Sequence, residues 1–199
     1  MSYYQIITPI ISIAYLLVVF VLRSVVIRRK SGVSPFVFGS TEKAHDYLGL
    51  VYKLAVALLT ISIALFSFSP AAYELLNPIE YFPSEQLSVV GLVLLILSFI
   101  WTLIAQIQMS TSWRIGINYE EKTELIEKGL FSISRNPVFL GVVVFFIGIF
   151  FILPNTLSFA LILVMLITVQ VQVRLEEEYL EKIHGDKYKE YMTRIRRWV

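Results

Sequence analysis

The sequence predicts an all-α integral membrane protein: five transmembrane helices, the last two a helical hairpin, followed by a cytoplasmic helical tail. Three observations point there. The chain is 57% hydrophobic and only 16% charged, whereas charged residues make up roughly a quarter of an ordinary soluble domain. Its apolar residues gather in blocks of about bilayer length. Its Lys and Arg residues gather between alternate blocks.

Each block can be justified in turn. Residues Ile6–Leu22 form the first span, ending at Arg23 with Arg28, Arg29 and Lys30 beyond. No basic region precedes this block and no small-residue cleavage site follows it, so it reads as a retained helix. Leu50–Phe68 form the second span, stopped by Pro70. Leu87–Ile107 form the third, with Gly91 inside it. Each approaches the ~20 residues needed to cross ~30 Å of hydrocarbon. Val138–Leu153 and Leu157–Val173 are shorter and are separated by Pro154-Asn155, which makes a hairpin with tilted or partly interfacial arms. Arg174–Tyr191 is rich in Glu and Lys and reads as one helix, or as two broken at Gly185. The whole chain, 1–199, reads as one domain, with a three-helix membrane portion over 1–109 and a loop, hairpin and tail over 110–199.

Charge sets the orientation. The loop Arg23–Leu48 holds five bases and two acids, whereas Pro70–Gln86 holds three acids and no base. Ser110–Pro137 holds four of each, and the tail Arg174–Val199 holds seven bases and six acids. Cytoplasmic loops carry the Lys/Arg excess. The first loop, the third loop and the tail are therefore expected in the cytoplasm, with the amino terminus and Pro70–Gln86 outside.

Composition also narrows the chemistry. A net charge of +2 is too small to imply nucleic-acid binding. With no cysteine, the chain has no disulfide scaffold, thiolate nucleophile or Cys-ligated metal. Its two histidines, His45 and His184, lie in different segments without ligand spacing, so no metal site is expected.

The polar candidates cluster in the last third. Arg135 suits a bidentate carboxylate or phosphate, or a headgroup contact at the interface. Asn136 can donate and accept together, or form an Asx turn before Pro137, which fits a first helical turn. Gly141 permits close approach of a helix or a ligand. Gly129 supplies a turn that presents Leu130 and Phe131, or a cap. Trp113 suits an interface belt, and Arg114 a polar pocket or a headgroup. Glu176, Glu177 and Glu178 cannot share one helix face, because neighbours are ~100° apart. One or two of them can face the protein, and a buried carboxylate then needs a cation.

These residues carry a resemblance. The run Ser134-Arg135-Asn136-Pro137-Val138-Phe139-Leu140-Gly141 resembles the Arg-His/Asn-Pro-x-Tyr-x-Gly signature of the integral-membrane methyltransferases that include isoprenylcysteine carboxyl methyltransferase and the phospholipid N-methyltransferases. Gly129-Leu130-Phe131 precedes it at the same offset. Glu176-Glu177, Leu180, His184-Gly185, Tyr188 and Tyr191 resemble the family's carboxyl-terminal block, closed by Arg197-Trp198. Trp113-Arg114-x-Gly116 fits upstream. The motifs run from Trp113 to the end. The chain departs from the commoner pattern at Asn136 (usually His), Phe139 (often Tyr) and His184 (often Phe).

The resemblance implies an S-adenosyl-L-methionine-dependent methyltransferase whose lipophilic acceptor enters from the bilayer, with carboxyl O-methylation of an isoprenylcysteine-like substrate as the leading expectation. It implies cofactor contacts from Gly129, Leu130, Arg135, Asn136, Pro137, Gly141, Glu176, Glu177 and Tyr188. Catalytic roles fall to Arg114, Glu177 and Arg197, with Arg114 or Arg197 holding an acceptor carboxylate. Membrane lipids are the expected surroundings, with no metal and no nucleic acid. Three alternatives remain beside it. They are methylation of a phospholipid or other small lipophile, a nicotinamide-dependent membrane reductase, and a non-enzymatic membrane protein or transporter.

Overall fold

The computed structural model describes residues 2–32, 44–81, 84–113 and 124–199. The first helix begins with α1 (Tyr3–Tyr15), passes through a π-helical segment, Leu16–Leu22, and continues as α2 (Arg23–Ser31). It starts at a capping box in which Ser2 and Gln5 satisfy each other's backbone N–H groups. The expected first span thus lies inside a longer helix. Next come α3 (Ala44–Phe68), the short α4 (Pro70–Tyr73), α5 (Glu85–Met109), α6 (Pro137–Ile152), α7 (Thr156–His184) and α8 (Asp186–Arg194). Pro70 opens α4. Gly185 separates α7 from α8, so the tail is two helices.

Among the described residues, four helices are long and apolar enough to cross a membrane: Tyr3–Lys30, Asp46–Phe68, Glu85–Met109 and Thr156–His184. The fifth apolar helix, α6, is shorter, at 16 residues. The result is an all-α multi-pass membrane bundle with a helical carboxyl-terminal region. Its outward faces carry Ile6, Ile10, Ile13, Leu54, Ile61, Val93, Ile100 and Ile167. Its interior holds hydroxyls and amides, among them Ser62, Ser98, Thr102, Thr168 and Gln172. Such a distribution suits lipid, where small and polar residues mediate helix contact.

α5 and α6 pack most intimately. A Cβ on Gly91 would lie 2.7 Å from the Gly148 carbonyl oxygen, and one on Gly148 would lie 2.9 Å from that of Gly91. The two backbones touch because neither residue has a side chain. Further along, the Ser98 hydroxyl donates to the Gly141 carbonyl at 2.8 Å and Trp101 Nε1 donates to the Pro137 carbonyl at 2.8 Å. Ala55, Leu59 and Ile63 of α3 and Leu161, Met165, Val169 and Val173 of α7 belong to the same core. Tyr15 stacks on Phe145 at 4.2 Å between ring centroids.

The link between α6 and α7 is fixed by Asn155, which is fully buried. Its Oδ1 caps Ser158 N at 2.8 Å, and its Nδ2 lies 3.2 Å from Ser62 Oγ and 3.1 Å from the Leu153 carbonyl. The segment after α4 joins it: Ile79 N donates to the Pro154 carbonyl at 3.0 Å. This end of the bundle therefore holds Asn155 and the acidic loop. The opposite end holds Met109, Gly129–Pro137 and the tail.

Candidate active site

At that opposite end, an open cleft is lined by Met109, Trp113, Phe131, Arg135, Asn136, Pro137, Val138, Phe139 and Glu176. Four segments build it. The end of α5 supplies Met109, and Trp113 follows it after a short 3₁₀ turn. A 3₁₀ turn over Gly129–Ser132 supplies Phe131. Gly129 has φ +65°, and a Cβ there would overlap the Gln108 side chain. Gly129 therefore lets Gln108 Oε1 accept from Leu130 N at 2.8 Å. The run into the start of α6 supplies Arg135–Phe139, and α7 supplies Glu176.

The tail is bound to the Ser134–Asn136 run largely through its backbone. Arg135 N donates to the Arg196 carbonyl at 3.0 Å, and Arg135 Nη1 donates to that of Met192 at 3.1 Å. Asn136 Nδ2 donates to the Arg197 carbonyl at 3.2 Å, and the Ser134 hydroxyl donates to the same oxygen at 3.3 Å. Asn136 therefore spends its amide on the tail. It sits at the N-cap of α6 without a side-chain capping bond.

Behind the cleft wall lies an ionic triad. Glu177 accepts from Arg135 Nη2 at 2.9 Å and from Arg197 Nη2 at 2.6 Å, with Arg197 Nε 3.1 Å from each carboxylate oxygen. The bonds to Glu177 raise the pKa of the Arg197 guanidinium. Tyr188 and Tyr191 pack beside the triad, their ring centroids 5.9 Å apart. Burial raises the Tyr188 hydroxyl above its ordinary value and pushes that of Tyr191 up to about 12. Both hydroxyls therefore stay protonated at neutral pH. The Tyr191 hydroxyl donates to the Phe131 carbonyl at 2.6 Å, joining the tail to the cleft floor.

Glu176, on the neighbouring face of α7, behaves differently. It accepts from Gln172 Nε2 at 2.8 Å and has no ion-pair partner among the described residues. Arg135 Nε is buried and likewise has no partner among them. The cleft is therefore lined by a carboxylate side chain, a guanidinium side chain and three aromatic rings. No group of three or more His, Cys, Asp or Glu residues that could hold a metal occurs among the described residues.

Of the residues singled out in the sequence, Arg135, Asn136, Pro137 and Glu176 line the cleft. Glu177 and Arg197 stand behind it, Leu130 is held by Gln108, and Tyr188 is buried against the tail. Gly141 packs on Thr102 in the α5–α6 contact. Arg114 lies outside the described residues. Trp113, which reads as an interface residue, is 3% exposed and faces the cleft. The places of Met109 and of the tail carbonyls are not legible in the sequence. A methionine at the end of an apolar span carries no distinguishing signal, and backbone acceptors carry none.

Comparison with known proteins converges on one group. The family model described as phospholipid methyltransferase matches residues 87–187. "Probable protein-S-isoprenylcysteine O-methyltransferase" of Oryza sativa subsp. indica is 28% identical over 148 residues, covering 71% of this chain and 78% of that protein. "Protein-S-isoprenylcysteine O-methyltransferase B" of Arabidopsis thaliana is 30% identical over 162 residues, covering 72% of this chain and 82% of that protein. Among solved structures, the eukaryotic intramembrane Ras methyltransferase ICMT (isoprenylcysteine carboxyl methyltransferase) superposes with a TM-score of 0.59 at 18% identity. That match covers 87% of this chain and 58% of the ICMT chain, and it establishes the shared fold. With a family model matching half its length and a 30%-identical relative matched over most of both chains, the protein belongs to the phospholipid methyltransferase family.

Proposed function

We propose that this chain transfers the methyl group of S-adenosylmethionine to the carboxylate of a lipophilic, isoprenylcysteine-like acceptor, in the cleft formed by α5, α6, α7 and the tail. Membership of the family makes it an S-adenosylmethionine-dependent methyltransferase. The observation that carries the site assignment is Glu176, a carboxylate without a cationic partner among the described residues, in a cleft lined by Trp113, Phe131 and Phe139.

The donor set fits the cofactor. Its cationic groups would be held by Glu176 and the aromatic faces. Its carboxylate would be met by Arg135, whose Nε is unspent. When bound, S-adenosylmethionine supplies an electrophilic methyl on a positively charged sulfur. The residues then have to align the acceptor and exclude water. A carboxylate acceptor arrives ionised, so no side chain has to remove a proton. Glu177 acts as a positioning residue: it fixes Arg135 from behind and ties it to Arg197.

In this reading the chain crosses the membrane five times, with α6 and α7 as the hairpin and residues 110–199 supplying the cofactor site. At 1.5 Å per residue, α6 reaches only ~24 Å, so its cleft end lies below the headgroups. The Lys/Arg-rich end of α2 and the cleft face the cytoplasm, and the acidic loop around Glu74 and Glu80 faces outward. The acceptor enters sideways from the bilayer.

The test is titration calorimetry of the detergent-purified chain with S-adenosylmethionine, comparing wild type with Glu176→Gln. A Kd raised about tenfold or more, with the melting temperature unchanged, is expected for loss of one charge-assisted contact. An unchanged Kd would remove Glu176 from the site. Methyl transfer to a farnesylcysteine derivative, and none to phosphatidylethanolamine, would establish the acceptor class.

A further inference from the structure

We infer that Arg23 and Gln106 form a second polar subsite, which receives a carboxylate flanked by an amide N–H at the polar end of the methyl acceptor. The inference rests on the proposed carboxyl methylation and names the groups that read the acceptor.

Gln106 lies on the inward face of α5 and is 0% exposed, yet neither its Nε2 nor its Oε1 has a hydrogen-bond partner among the described residues. Buried side-chain amides are nearly always satisfied, so an orphaned one calls for a partner that the chain itself does not supply. Arg23 lies beside it. Its Nη2 donates to the Gln106 backbone carbonyl at 2.6 Å, one of the carbonyls that the end of α5 leaves unpaired. That bond explains the position of Arg23 but does not use its Nε, which is also buried and unpartnered among the described residues.

The backbone presents Arg23 deliberately. It directly follows the π-helical segment Leu16–Leu22, and its N–H bonds back to the Val18 carbonyl. The extra residue per turn in a π segment rotates everything after it relative to a continuous α-helix, and such segments recur at functional sites. Here the rotation brings a guanidinium onto α5 instead of leaving it to lipid.

The pair adjoins the cleft. Met109, which lines it, is three residues beyond Gln106 on the same face of α5. α2 packs against the turn Ser110–Ser112, which leads to the cleft residue Trp113. Gln106 lies one turn deeper along α5, where the head of an acceptor whose tail remains in the bilayer would pass.

The unspent atoms specify the ligand. Arg23 Nε and Gln106 Nε2 are donors, and Gln106 Oε1 is an acceptor. Reversing the amide leaves one donor and one acceptor. Two donors and an acceptor, with a positive charge, complement a carboxylate and a neighbouring amide N–H, the arrangement found at the end of a peptide. A phospholipid amine head offers the reverse charge.

The test compares two acceptors on the full chain in detergent: N-acetyl-S-farnesylcysteine, and S-farnesyl-3-mercaptopropionate, which keeps the carboxylate and lacks the amide. Gln106→Leu fills the same space without polar atoms. Arg23→Lys keeps a cation to cap α5 and removes the Nε donor. Wild type should prefer the amide-bearing acceptor by kcat/KM. Gln106→Leu should raise KM for that acceptor about tenfold and collapse the preference. Arg23→Lys should raise KM for both acceptors. The Kd for S-adenosylmethionine should stay near wild type in both variants, and the melting temperature of Gln106→Leu should be no lower than that of wild type, because an unsatisfied buried amide is removed. An unchanged preference in Gln106→Leu, or equal rises in acceptor KM and cofactor Kd, would overturn the subsite. Wild type that binds the cofactor and methylates only phosphatidylethanolamine would overturn the subsite together with the carboxylate reading. Wild type that binds no cofactor would overturn the site assignment itself.

Discussion

Replacing Glu177 by Gln removes one charge and almost no volume, and the structure sets the size of the effect. The carboxylate holds two guanidiniums through four contacts of 2.6–3.1 Å. The triad carries a net charge of +1, which becomes +2 in the variant. The Arg135 side chain is only 9% exposed and cannot exchange Glu177 for water, whereas Arg197, at 34%, can turn outward. The loss therefore falls mainly on Arg135. Breaking a buried pair costs about 3–5 kcal/mol, and partial solvation of Arg197 places this case near 3. For a chain of this length, that lowers the melting temperature by roughly 6–12 °C. Arg197→Ala leaves the Arg135–Glu177 pair intact and should cost about 1 kcal/mol. The assay is thermal unfolding in detergent at a fixed scan rate, followed by tryptophan fluorescence, since Trp198 of the tail packs against the core. A Glu177→Gln midpoint within 2 °C of wild type, or no lower than that of Arg197→Ala, would refute the view that Glu177 compensates a buried cation.

Further outcomes follow from other contacts. Asn155→Ala should lower stability by about 2–3 kcal/mol in a thermal-shift assay, because it removes an N-cap and strands the buried Ser62 hydroxyl, while the Leu153 carbonyl keeps its bond from the Ser158 hydroxyl. Cofactor affinity, at the far end of the bundle, should be unchanged. Gly91→Ala should cost about 1–3 kcal/mol by forcing α5 from α6, visible as a lowered midpoint and reduced expression. Tyr191→Phe orphans the Phe131 carbonyl and should cost about 1–2 kcal/mol while weakening cofactor binding in calorimetry. Burial raises the Tyr191 hydroxyl from 10.0 to about 12. Its contribution is therefore complete below pH 10.0 and is lost as pH climbs through about 12. The difference between wild type and Tyr191→Phe should be constant from pH 6 to 9.

Much of this arrangement is legible in the sequence because hydropathy is a one-dimensional signal. The blocks at Leu50–Phe68 and Leu87–Ile107 fall inside α3 and α5, and the break at Gly185 is where α7 ends. The argument from helix angle is also met: Glu176 and Glu177 face the protein and Glu178 is exposed. The π segment in the first helix is not legible, because a run of Leu, Val and Phe is equally apolar on every face and hides a change of period. Trp113 reads as a belt residue because an aromatic at a span end fits both an interface and a pocket wall. Gly141 reads equally as a ligand contact or a helix contact, and its close packing on Thr102 is invisible in the sequence. The role of Asn136 is hidden for another reason: its partner is a peptide carbonyl, which every residue has.

That last point bears on how the tail tolerates change. The Ser134–Asn136 run grips the carbonyls of Met192, Arg196 and Arg197. Of these three residues, only Arg197 also contributes its side chain to the ionic triad. The side chains at 192 and 196 are thus free of that grip, and a mutational scan should pass many substitutions there. Deleting a single residue between 192 and 197 would slide the carbonyls out of register together. In this stretch the protein measures length, and spelling matters at one letter.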